Sequence, residues 1–361
     1  MIKPIKIAIL SCNHGHAKGY YALKDDPFFE LVAVSIKPDY RDRVFAERLG
    51  NVPIYDNNED LYRNHPDLEA VIIGSDNRSH ITEFREAIAR DLHIFSMKVP
   101  TFDLSEYDEM ISLSESRGVV CQVELEMRER AEIYRVKELI EQGSLGKLLS
   151  ISMTNYSHNP VWWRPWQCSP EDSFGKRVPL RPGDARFRGG ALADHPHVFD
   201  VIRVITGASF DSVYADVAPN LRPVETEDMI RLIGKLSDGT LFSIDPSYAN
   251  DEHHVDKMID WIKYPRPVEV TMNLVGTEGT LVANVYERSI YLQGGARGEY
   301  MASEVENVGA WNKRMHDFYR SVRHGEPVTV GLREHRETIL AMLAAYESVS
   351  RSRPVKLSEL H

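Results

Sequence analysis

The sequence has few cysteines, no long apolar run and no cluster of basic residues. Each of these shortages argues against one class of protein. Its three cysteines among 361 residues are widely spaced and odd in number, which indicates reduced thiols rather than a disulfide framework. No apolar stretch approaches the roughly 20 residues that span a bilayer. The N-terminus resembles a first strand more than a secretory signal. We therefore expect a cytoplasmic protein that contacts no membrane.

The charge balance argues against nucleic acid as a partner. The chain carries 43 lysines and arginines against 54 aspartates and glutamates, a formal net charge of −11. An acidic surface repels nucleic acid, so we expect a small-molecule substrate. The content of hydrophobic (42%) and charged (27%) residues is typical of a globular protein, and the length suits about two domains.

Residues 1–123 alternate short apolar runs with helical patterns. Continuously apolar runs indicate strands that are buried on both faces, as in a parallel sheet. Their repetition with helices predicts an α/β fold, a doubly wound Rossmann domain that binds a dinucleotide. The predicted strands are 6–10, 30–36, 70–74, 93–97 and 119–123, and the predicted helices lie near 16–25, 40–49, 79–90 and 105–116.

Residues 124–361 show a different pattern, which predicts a second, α+β domain. Alternation of apolar and polar residues indicates a large, open antiparallel sheet with one face covered and one face free for a partner. Helices are predicted at 131–142, 196–206, 311–324 and 333–350, and a tryptophan- and proline-rich loop at 158–188. The predicted strands are 148–156, 212–218, 229–236, 241–248, 268–276, 280–286 and 289–293.

The stretch ILSCNHGHA (9–17) lies where a dinucleotide-binding fold places its glycine-rich turn. Ser11, Asn13 and His16 occupy the positions of the three expected glycines. Asn13 tolerates the left-handed backbone region, and free amides at the start of the next helix suit a phosphate. His14 and His16 add positive charge. The alternative is a strand-to-helix turn that binds nothing.

The end of the second predicted strand lacks the carboxylate that usually bonds the adenosine ribose. Ser35 and Ile36 are followed there by Lys37. A cation at this position favours a 2′-phosphate over two free hydroxyls, so we expect NADP in preference to NAD. The alternative is that Lys37 is simply solvated.

Two further segments, IIGSDNRSH (72–80) and FSMKVP (95–100), end buried strands at the edge of the sheet where ligands bind. An ammonium such as that of Lys98 can hydrogen-bond a substrate hydroxyl there and stabilise the alkoxide that precedes hydride loss. Helix capping is the alternative for Ser75, and an exposed strand-end lysine is the alternative for Lys98.

The segment GGALADHPHVFDVIRVITG (189–207) predicts a helix with one apolar face. Asp194 or His195 is expected to cap this helix. His197 and Asp200 stand about one turn apart, so both side chains can project towards the same side. Capping alone for Asp194 and a core position for His197 are the alternatives.

Together these motifs resemble the Gfo/Idh/MocA oxidoreductases (glucose–fructose oxidoreductase, inositol dehydrogenase, rhizopine catabolism) over essentially the whole chain. That family has Thr-Pro-Asn followed by histidine, then Glu-Lys-Pro, then Gly-Gly followed by Asp, His and Asp. The chain departs from the pattern at Asp76 and Met97, which replace a proline and a glutamate. It also has one residue fewer between Asp194 and His197.

The resemblance implies reversible hydride transfer between a nicotinamide and a hydroxyl-bearing carbon of a sugar, cyclitol or sugar derivative. Lys98 would polarise the hydroxyl, His197 would exchange its proton, and Asp194 would assist. NADP or NAD would be held by Ser11, Asn13, His14, Lys37, Ser75, Asn77 and His80. The substrate would be held by Arg128, Trp163, Arg164 and His195. Relatives imply a homodimer or homotetramer through the open sheet face.

Two other functions remain open from the sequence. Asp194 and several histidines could bind Zn²⁺ or Mn²⁺ for a metal-dependent hydrolase or lyase that needs no dinucleotide. The histidines in question are His158, His195, His197, His253 and His254. A non-catalytic sensor or assembly protein on the same scaffold is the other alternative, although it would need neither Lys98 nor His197.

Overall fold

The computed structural model describes most of the chain, in nine stretches. These are residues 2–12, 16–37, 47–75, 79–158, 190–219, 227–250, 268–294, 297–302 and 310–360. Two compact units result. The described residues of the first unit are those up to 124 together with 311–336, and those of the second unit lie within 125–158, 190–310 and 337–360. Residues 311–336 thus belong to the first unit, whereas the sequence suggested two consecutive domains.

The first unit contains a six-stranded sheet in the order β3-β2-β1-β4-β5-β6, in which every pair of neighbours is parallel. The predicted Rossmann fold is therefore confirmed. Because the strand order reverses beside β1, the crevice at the carboxyl ends of β1 and β4 is the expected ligand site. The strands are β1 (Ile5–Leu10), β2 (Phe29–Ser35), β3 (Ile54–Tyr55), β4 (Ala70–Ile73), β5 (His93–Ser96) and β6 (Cys121–Val123).

Of the helices predicted beside the first sheet, the one near 40–49 lies largely outside the described residues, and the others follow the prediction with two differences. The segment Ala17–Asp25 is a 3-10 helix rather than an α-helix, and Gly19 within it disfavours the α conformation. A short helix, α1 (Asn58–Asn64), was not predicted because its sequence is polar; Asn57 caps it by accepting the N–H of Asp60. The other α-helices next to this sheet are α2 (His80–Ile88) and α3 (Leu104–Arg117).

The core of the first unit explains why residues 311–336 belong to it. Met315, Phe318 and Tyr319 are buried in one apolar cluster with side chains of β1 and β2. The backbone N–H of Val123, at the end of β6, also donates to the carbonyl of Val330 at 3.0 Å. The C-terminal segment therefore completes the first core.

The second unit contains a nine-stranded mixed sheet in the order β14-β13-β12-β11-β7-β10-β9-β8-β15. Eight of its strands have six residues or more, and β15 has two. The strands are β7 (Leu148–His158), β8 (Phe210–Val217), β9 (Ile230–Leu236), β10 (Leu241–Asn250), β11 (Val268–Gly276), β12 (Gly279–Asn284), β13 (Ser289–Gly294), β14 (Arg297–Ala302) and β15 (Val355–Lys356).

The predicted large antiparallel sheet is confirmed, and it contains one parallel pair that the sequence did not indicate. Strands β7 and β10 are parallel, while the other neighbours are antiparallel. The strands β8 and β9 intervene in the chain between β7 and β10, so no hairpin dictates their direction. The short strands β14 and β15 were not predicted.

The remaining helices include the four that were predicted, together with the short helix Ala191–Asp194 and 3-10 helices that were not. They are α4 (Ala131–Glu141), α5 (Ala191–Asp194), α6 (Pro196–Thr206), α7 (Ala310–His324) and α8 (Leu332–Arg351), with 3-10 helices at Glu126–Glu129 and Leu357–Glu359. Helix α6 begins with a proline and ends at Gly207, which has φ 69°. Within the nine described stretches, no helix is long and apolar enough to cross a membrane.

Candidate active site

Ser11, directly after β1, occupies the position of the first glycine of a dinucleotide-binding turn. Ser11, at that position, has φ +47°, in the left-handed region. Its N–H donates to Oγ of Ser35 at 2.9 Å, which fixes the turn against the end of β2. We expected Asn13 to keep this turn; Asn13 and His14 lie outside the described residues, and Ser11 has the left-handed conformation.

Close packing between the first helix and the sheet is supplied by Gly74, directly after β4. A Cβ on Gly74 would lie 2.4 Å from Cβ of Ala17. The third glycine of the usual motif serves this kind of contact. His16, which occupies that third position, instead lies with Nδ1 3.4 Å from Oε2 of the buried Glu124, so the structure pairs it with a carboxylate.

A buried carboxylate, Glu83 of α2, lies at the carboxyl edge between β1 and β4. Ser75 Oγ donates to its Oε2 at 2.6 Å, Asn58 Nδ2 donates to its Oε1 at 3.2 Å, and Ser11 Oγ also donates to Oε1. Ser75 was predicted to bind the cofactor, and the structure places it in this cluster. Glu83 and Asn58 were missed, although an acidic residue on the inward face of α2 is a readable signal.

These residues line one wall of a cavity of about 430 Å³. Lys37 is exposed at its rim. The cavity is large enough for part of a dinucleotide, and hydroxyl, amide and carboxylate groups in its wall suit the hydroxyls of a nucleoside. The left-handed turn and this donor set therefore fit a dinucleotide. The lining includes Ser11, Ser35, Lys37, Asn58, Ser75 and Glu83.

His80 is fully buried, and both of its ring nitrogens face backbone carbonyls. Nδ1 lies 3.1 Å from the Val99 oxygen and 3.2 Å from the Pro100 oxygen, and Nε2 lies 3.2 Å from the Ser75 oxygen. We predicted that His80 contacts the cofactor. The observed contacts of both nitrogens join the end of β4 to the segment after β5, and the cofactor contact stays a prediction.

Lys98 lies just beyond the carboxyl end of β5 and is only 2% exposed. The alternative of a solvated strand-end lysine is therefore wrong. Met97, which replaces the family glutamate, is fully buried beside it. The peptide bond between Lys98 and Val99 is cis. A buried ammonium at this edge is positioned for a ligand in the crevice.

In the second unit, Arg128 and Asp200 form a buried ion pair. Nε of Arg128 donates to Oδ2 of Asp200 at 2.9 Å, and Nη2 donates to Oδ1. We predicted that Arg128 binds substrate; two of its donors are held by Asp200 of α6, and the substrate contact stays a prediction. The pair fixes α6 to the 3-10 helix Glu126–Glu129, because each residue belongs to one of these elements.

His197 of α6 is buried, and its charged neighbour is Glu126. The Nδ1 atom lies 3.5 Å from Oε2 of Glu126. The sequence predicted Asp194 as the carboxylate that orients this imidazole. Asp194 is buried at the end of α5, and its N–H donates to the carbonyl of Gly190 at 3.1 Å. Glu126 was missed because it is distant from His197 in the sequence.

Glu227 anchors the short helix that ends at Asp194. Its Oε1 accepts the N–H of Leu192 at 3.0 Å and the hydroxyl of Tyr346 at 3.2 Å. Its carbonyl accepts the N–H of Ala191 at 3.0 Å. This acceptor for the free amides of a helix start was also missed from the sequence.

His195 is the N-cap residue of α6, although its side chain makes no capping hydrogen bond. Its Nε2 lies 3.2 Å from Oγ of Ser157, and its ring packs edge-on against Tyr248. The predicted substrate residues Trp163 and Arg164, and the predicted cofactor residue Asn77, lie outside the described residues. Among the residues that are described, no group of three or more histidines, cysteines or carboxylates is arranged to hold a metal.

A parallel sheet with a polar crevice at its switch point, in a chain that also forms a large mixed sheet, defines a dinucleotide-binding protein with a second α/β unit. Residues 5–125 match a model described as "Oxidoreductase family, NAD-binding Rossmann fold". Residues 133–282 match one described as "GFO/IDH/MocA C-terminal domain". The chain belongs to the Gfo/Idh/MocA family and is an NAD(P)-dependent dehydrogenase.

Known relatives match the chain almost from end to end. It is 25% identical over 340 residues to myo-inositol 2-dehydrogenase of Thermotoga maritima, covering 91% of this chain and 92% of that protein. An Agrobacterium radiobacter oxidoreductase, solved with NAD⁺, L-tartaric acid and magnesium, is 18% identical, with TM-score 0.79 and coverage of 99% and 100%. An inositol dehydrogenase homologue from Azotobacter vinelandii, solved with NADH and myo-inositol, is 16% identical, with TM-score 0.76 and coverage of 98% for both chains. The two solved structures establish the shared fold.

Proposed function

We propose that the protein transfers a hydride between C4 of a nicotinamide and a hydroxyl-bearing carbon of a sugar, cyclitol or sugar derivative. The observation that carries this proposal is the buried ammonium of Lys98 at the carboxyl edge of the first sheet. The substrate class is supported by two relatives, one named for myo-inositol and one solved with it. Identity to the first is 25%, so the choice among cyclitols and sugars belongs to this proposal.

Bound at the crevice, the nicotinamide supplies the hydride acceptor or donor. Lys98 donates a hydrogen bond to the substrate oxygen and stabilises the negative charge that develops on it as the hydroxyl proton leaves. His80 contacts the backbone just after β4 and just after Lys98, which limits how far the Lys98 segment can move. Ser11, Ser75 and the cavity wall hold the nucleotide.

In the second unit, proton exchange with the substrate hydroxyl is assigned to His197. The carboxylate of Glu126, 3.5 Å from Nδ1, holds the imidazole orientation and stabilises the imidazolium that forms when the ring takes up a proton. Asp194 assists from the end of α5, and the Arg128–Asp200 pair keeps α6 in place. We also propose that Arg128 and His195 contact the substrate. Arg128 is already bonded to Asp200, and Nε2 of His195 already lies within hydrogen-bond distance of Ser157.

The test of the proposal is a search for NAD(P)-linked turnover with a panel of cyclitols, aldoses and sugar acids. Formation of reduced nicotinamide with at least one of them is the expected result. Binding of NADH or NADPH is measured in parallel through quenching of tryptophan fluorescence. If the nucleotide binds but none of these substrates is turned over, the proposed nucleotide site is supported and the proposed substrate class is rejected.

We further infer a homo-oligomer that forms through the second sheet. Large apolar side chains of β9, β10, β11 and β13 are between 41% and 53% exposed: Ile233, Leu241, Val275 and Tyr291. Exposed apolar side chains on several neighbouring strands are a feature of subunit interfaces. A dimer or a tetramer of identical chains is the proposed partner arrangement.

The cysteines support the proposal of a reducing, cytoplasmic location. Cys12 and Cys121 are both buried thiols. Burial raises the pKa of the Cys121 thiol to about 12, so this side chain is an unreactive core residue at neutral pH. In native protein purified without reductant, we expect these thiols to react with a thiol reagent only on unfolding.

A further inference from the structure

The short helix α5 leads directly into the residues to which proton transfer is assigned. It has only four residues, so its own hydrogen bonds are too few to stabilise it in isolation. The N–H of Asp194 donates to the carbonyl of Gly190 at 3.1 Å, and the N–H of His195 donates to that of Leu192 at 3.1 Å. The amides at the start of a helix need acceptors from elsewhere in the protein. The conformation of α5 therefore depends on the groups that accept from its start.

Glu227, shortly before β9, supplies two of these acceptors. Its carbonyl accepts the N–H of Ala191 at 3.0 Å, and its Oε1 accepts the N–H of Leu192 at 3.0 Å. Glu227 is itself only 4% exposed. Removing a buried acceptor leaves its donor without a partner, which costs more than an ordinary hydrogen bond contributes. Glu227 therefore fixes the start of α5.

Gly190, the second glycine of the Gly-Gly pair in the sequence, is shaped to receive Glu227. Its φ is +109°, a conformation that disfavours a side chain. A Cβ on Gly190 would also lie 2.5 Å from Oε2 and 2.8 Å from the carbonyl oxygen of Glu227. The close approach of Glu227 to α5 is thus possible because this position has no side chain.

Two buried tyrosines of the same unit hold this arrangement. The hydroxyl of Tyr346, on α8, donates to Oε1 of Glu227 at 3.2 Å, and that of Tyr248, on β10, donates to the carbonyl of Gly190 at 2.9 Å. Both tyrosines are fully buried. A chain of hydrogen bonds therefore runs from α8 through Glu227 to Leu192, two residues before Asp194.

We propose that Glu227, held by Tyr346, is a positioning residue for residues 194–197 and that turnover depends on it. The inference rests on the proposed function, in which His197 exchanges a proton with the substrate and Asp194 assists. Glu227 acts through α5 and needs no contact with the substrate. A displacement of about 1 Å in a reacting group can lower a rate about a hundredfold. The nucleotide crevice belongs to the first unit, so nucleotide affinity is not expected to depend on Glu227.

The test compares Glu227→Ala and Tyr346→Phe with Ser348→Ala, all in the full chain. Ser348 is the matched control because its buried hydroxyl also bonds from α8, but to β8, where it accepts the N–H of Ala215 at 2.9 Å. Hydrogen exchange followed by mass spectrometry is expected to be faster in peptides covering residues 190–197 for the first two variants, and unchanged there for the control.

Turnover is measured on a substrate that the wild type oxidises or reduces. We expect kcat to fall about tenfold or more in Glu227→Ala and about threefold in Tyr346→Phe, and to stay within about twofold in Ser348→Ala. The NADH dissociation constant is expected to stay within about threefold in all three variants. Glu227→Gln keeps an oxygen that can accept from Leu192, so it is expected to recover most of the lost kcat.

Unchanged kcat in a folded Glu227→Ala protein overturns the inference and leaves the proposed dehydrogenase intact. An equal loss in Ser348→Ala, or no recovery in Glu227→Gln, overturns it as well. If Glu227→Ala does not fold, the comparison of Tyr346→Phe with Ser348→Ala decides. If the wild type turns over none of the substrates, the proposed substrate class is rejected, and unchanged hydrogen exchange at residues 190–197 in Glu227→Ala then rejects the positioning role separately.

Discussion

His80 Nδ1 lies 3.1 Å from the carbonyl oxygen of Val99, the residue that follows Lys98. The other ring nitrogen reaches the carbonyl of Ser75 at 3.2 Å, so one imidazole spans the ends of β4 and β5. Carbonyls only accept hydrogen bonds, so a ring nitrogen that carries a proton can donate to the carbonyls it faces. His80 is therefore a positioning residue for the Lys98 segment.

Replacing His80 is expected to lower turnover more than cofactor affinity. In His80→Gln both donors lie on one nitrogen, so the side chain cannot contact carbonyls on both sides as the ring does, and losing a contact to a buried carbonyl costs about 1–3 kcal/mol. We expect kcat to fall about tenfold or more while the NADH dissociation constant changes less than about threefold. His324→Gln, on the exposed side of α7, is the control. Equal loss of affinity and kcat would indicate a direct cofactor contact instead.

His93 is expected to make the folded protein less stable as the pH falls. Its Nδ1 accepts the N–H of Val120 at 3.0 Å, so this nitrogen is unprotonated in the folded state. Burial, with a smaller contribution from Arg323, lowers the pKa of His93 below 6.5, against an opposing effect of Glu69. The unfolded chain therefore binds the proton more readily, and His93 reduces the free energy of unfolding as the pH falls below about 6.5.

Urea unfolding of the wild type and of His93→Gln between neutral pH and mildly acidic pH checks this sign. The wild type is expected to lose more stability on acidification than the variant does. Parallel curves for the two proteins would show that His93 does not titrate differently on folding.

The buried Arg128–Asp200 pair is expected to contribute far more than an exposed pair of the same geometry. Asp200→Ala leaves a buried guanidinium without its carboxylate and is expected to cost about 3–5 kcal/mol of unfolding free energy. Glu109→Ala breaks the exposed two-point pair with Arg85 and is expected to cost less than about 1 kcal/mol. Denaturant titration compares the two losses, and similar values would contradict the role of the buried pair in holding α6.

The outer face of the second sheet is expected to control assembly. Ile233→Asp places a charge among the exposed apolar side chains, where burial against a second copy would cost several kcal/mol. Light scattering after size-exclusion chromatography is expected to show a shift to smaller species. Ile2→Asp, at a residue equally exposed in the first unit, is the control. A wild-type monomer, or a shift in both variants, would contradict an interface at this face.

The strands and most helices were predictable because their signals are local. The buried strand β4 is continuously apolar, β1 and β5 are largely so, and α6 lies between Pro196 at its start and Gly207 after its end. The direction of each strand could not be read from a local pattern. Strands β7 and β10 are parallel neighbours in the sheet, although β8 and β9 lie between them in the sequence. The strand β15 has only two residues, which is too short for any periodic pattern to show.

The motifs of the candidate site could be recognised in the sequence, but the residues that contact them could not. Lys98 and Ser75 follow buried strands, which the sequence shows directly. Glu83 is joined to Ser11 across 72 positions, and Arg128 is joined to Asp200 across the same number. No local pattern encodes such pairs, since the fold alone brings them together. The carboxylates that these residues contact in each unit were therefore found only in the structure.

The most direct measurement of the central claim is the Lys98→Met variant, assayed with the nicotinamide nucleotide and substrate on which the wild type turns over. Methionine keeps the apolar volume and removes the ammonium that stabilises the alkoxide. We predict a fall in kcat of about a hundredfold or more, with the NADH dissociation constant within about threefold of the wild type. Full turnover by a folded Lys98→Met protein would contradict the assigned role of this ammonium.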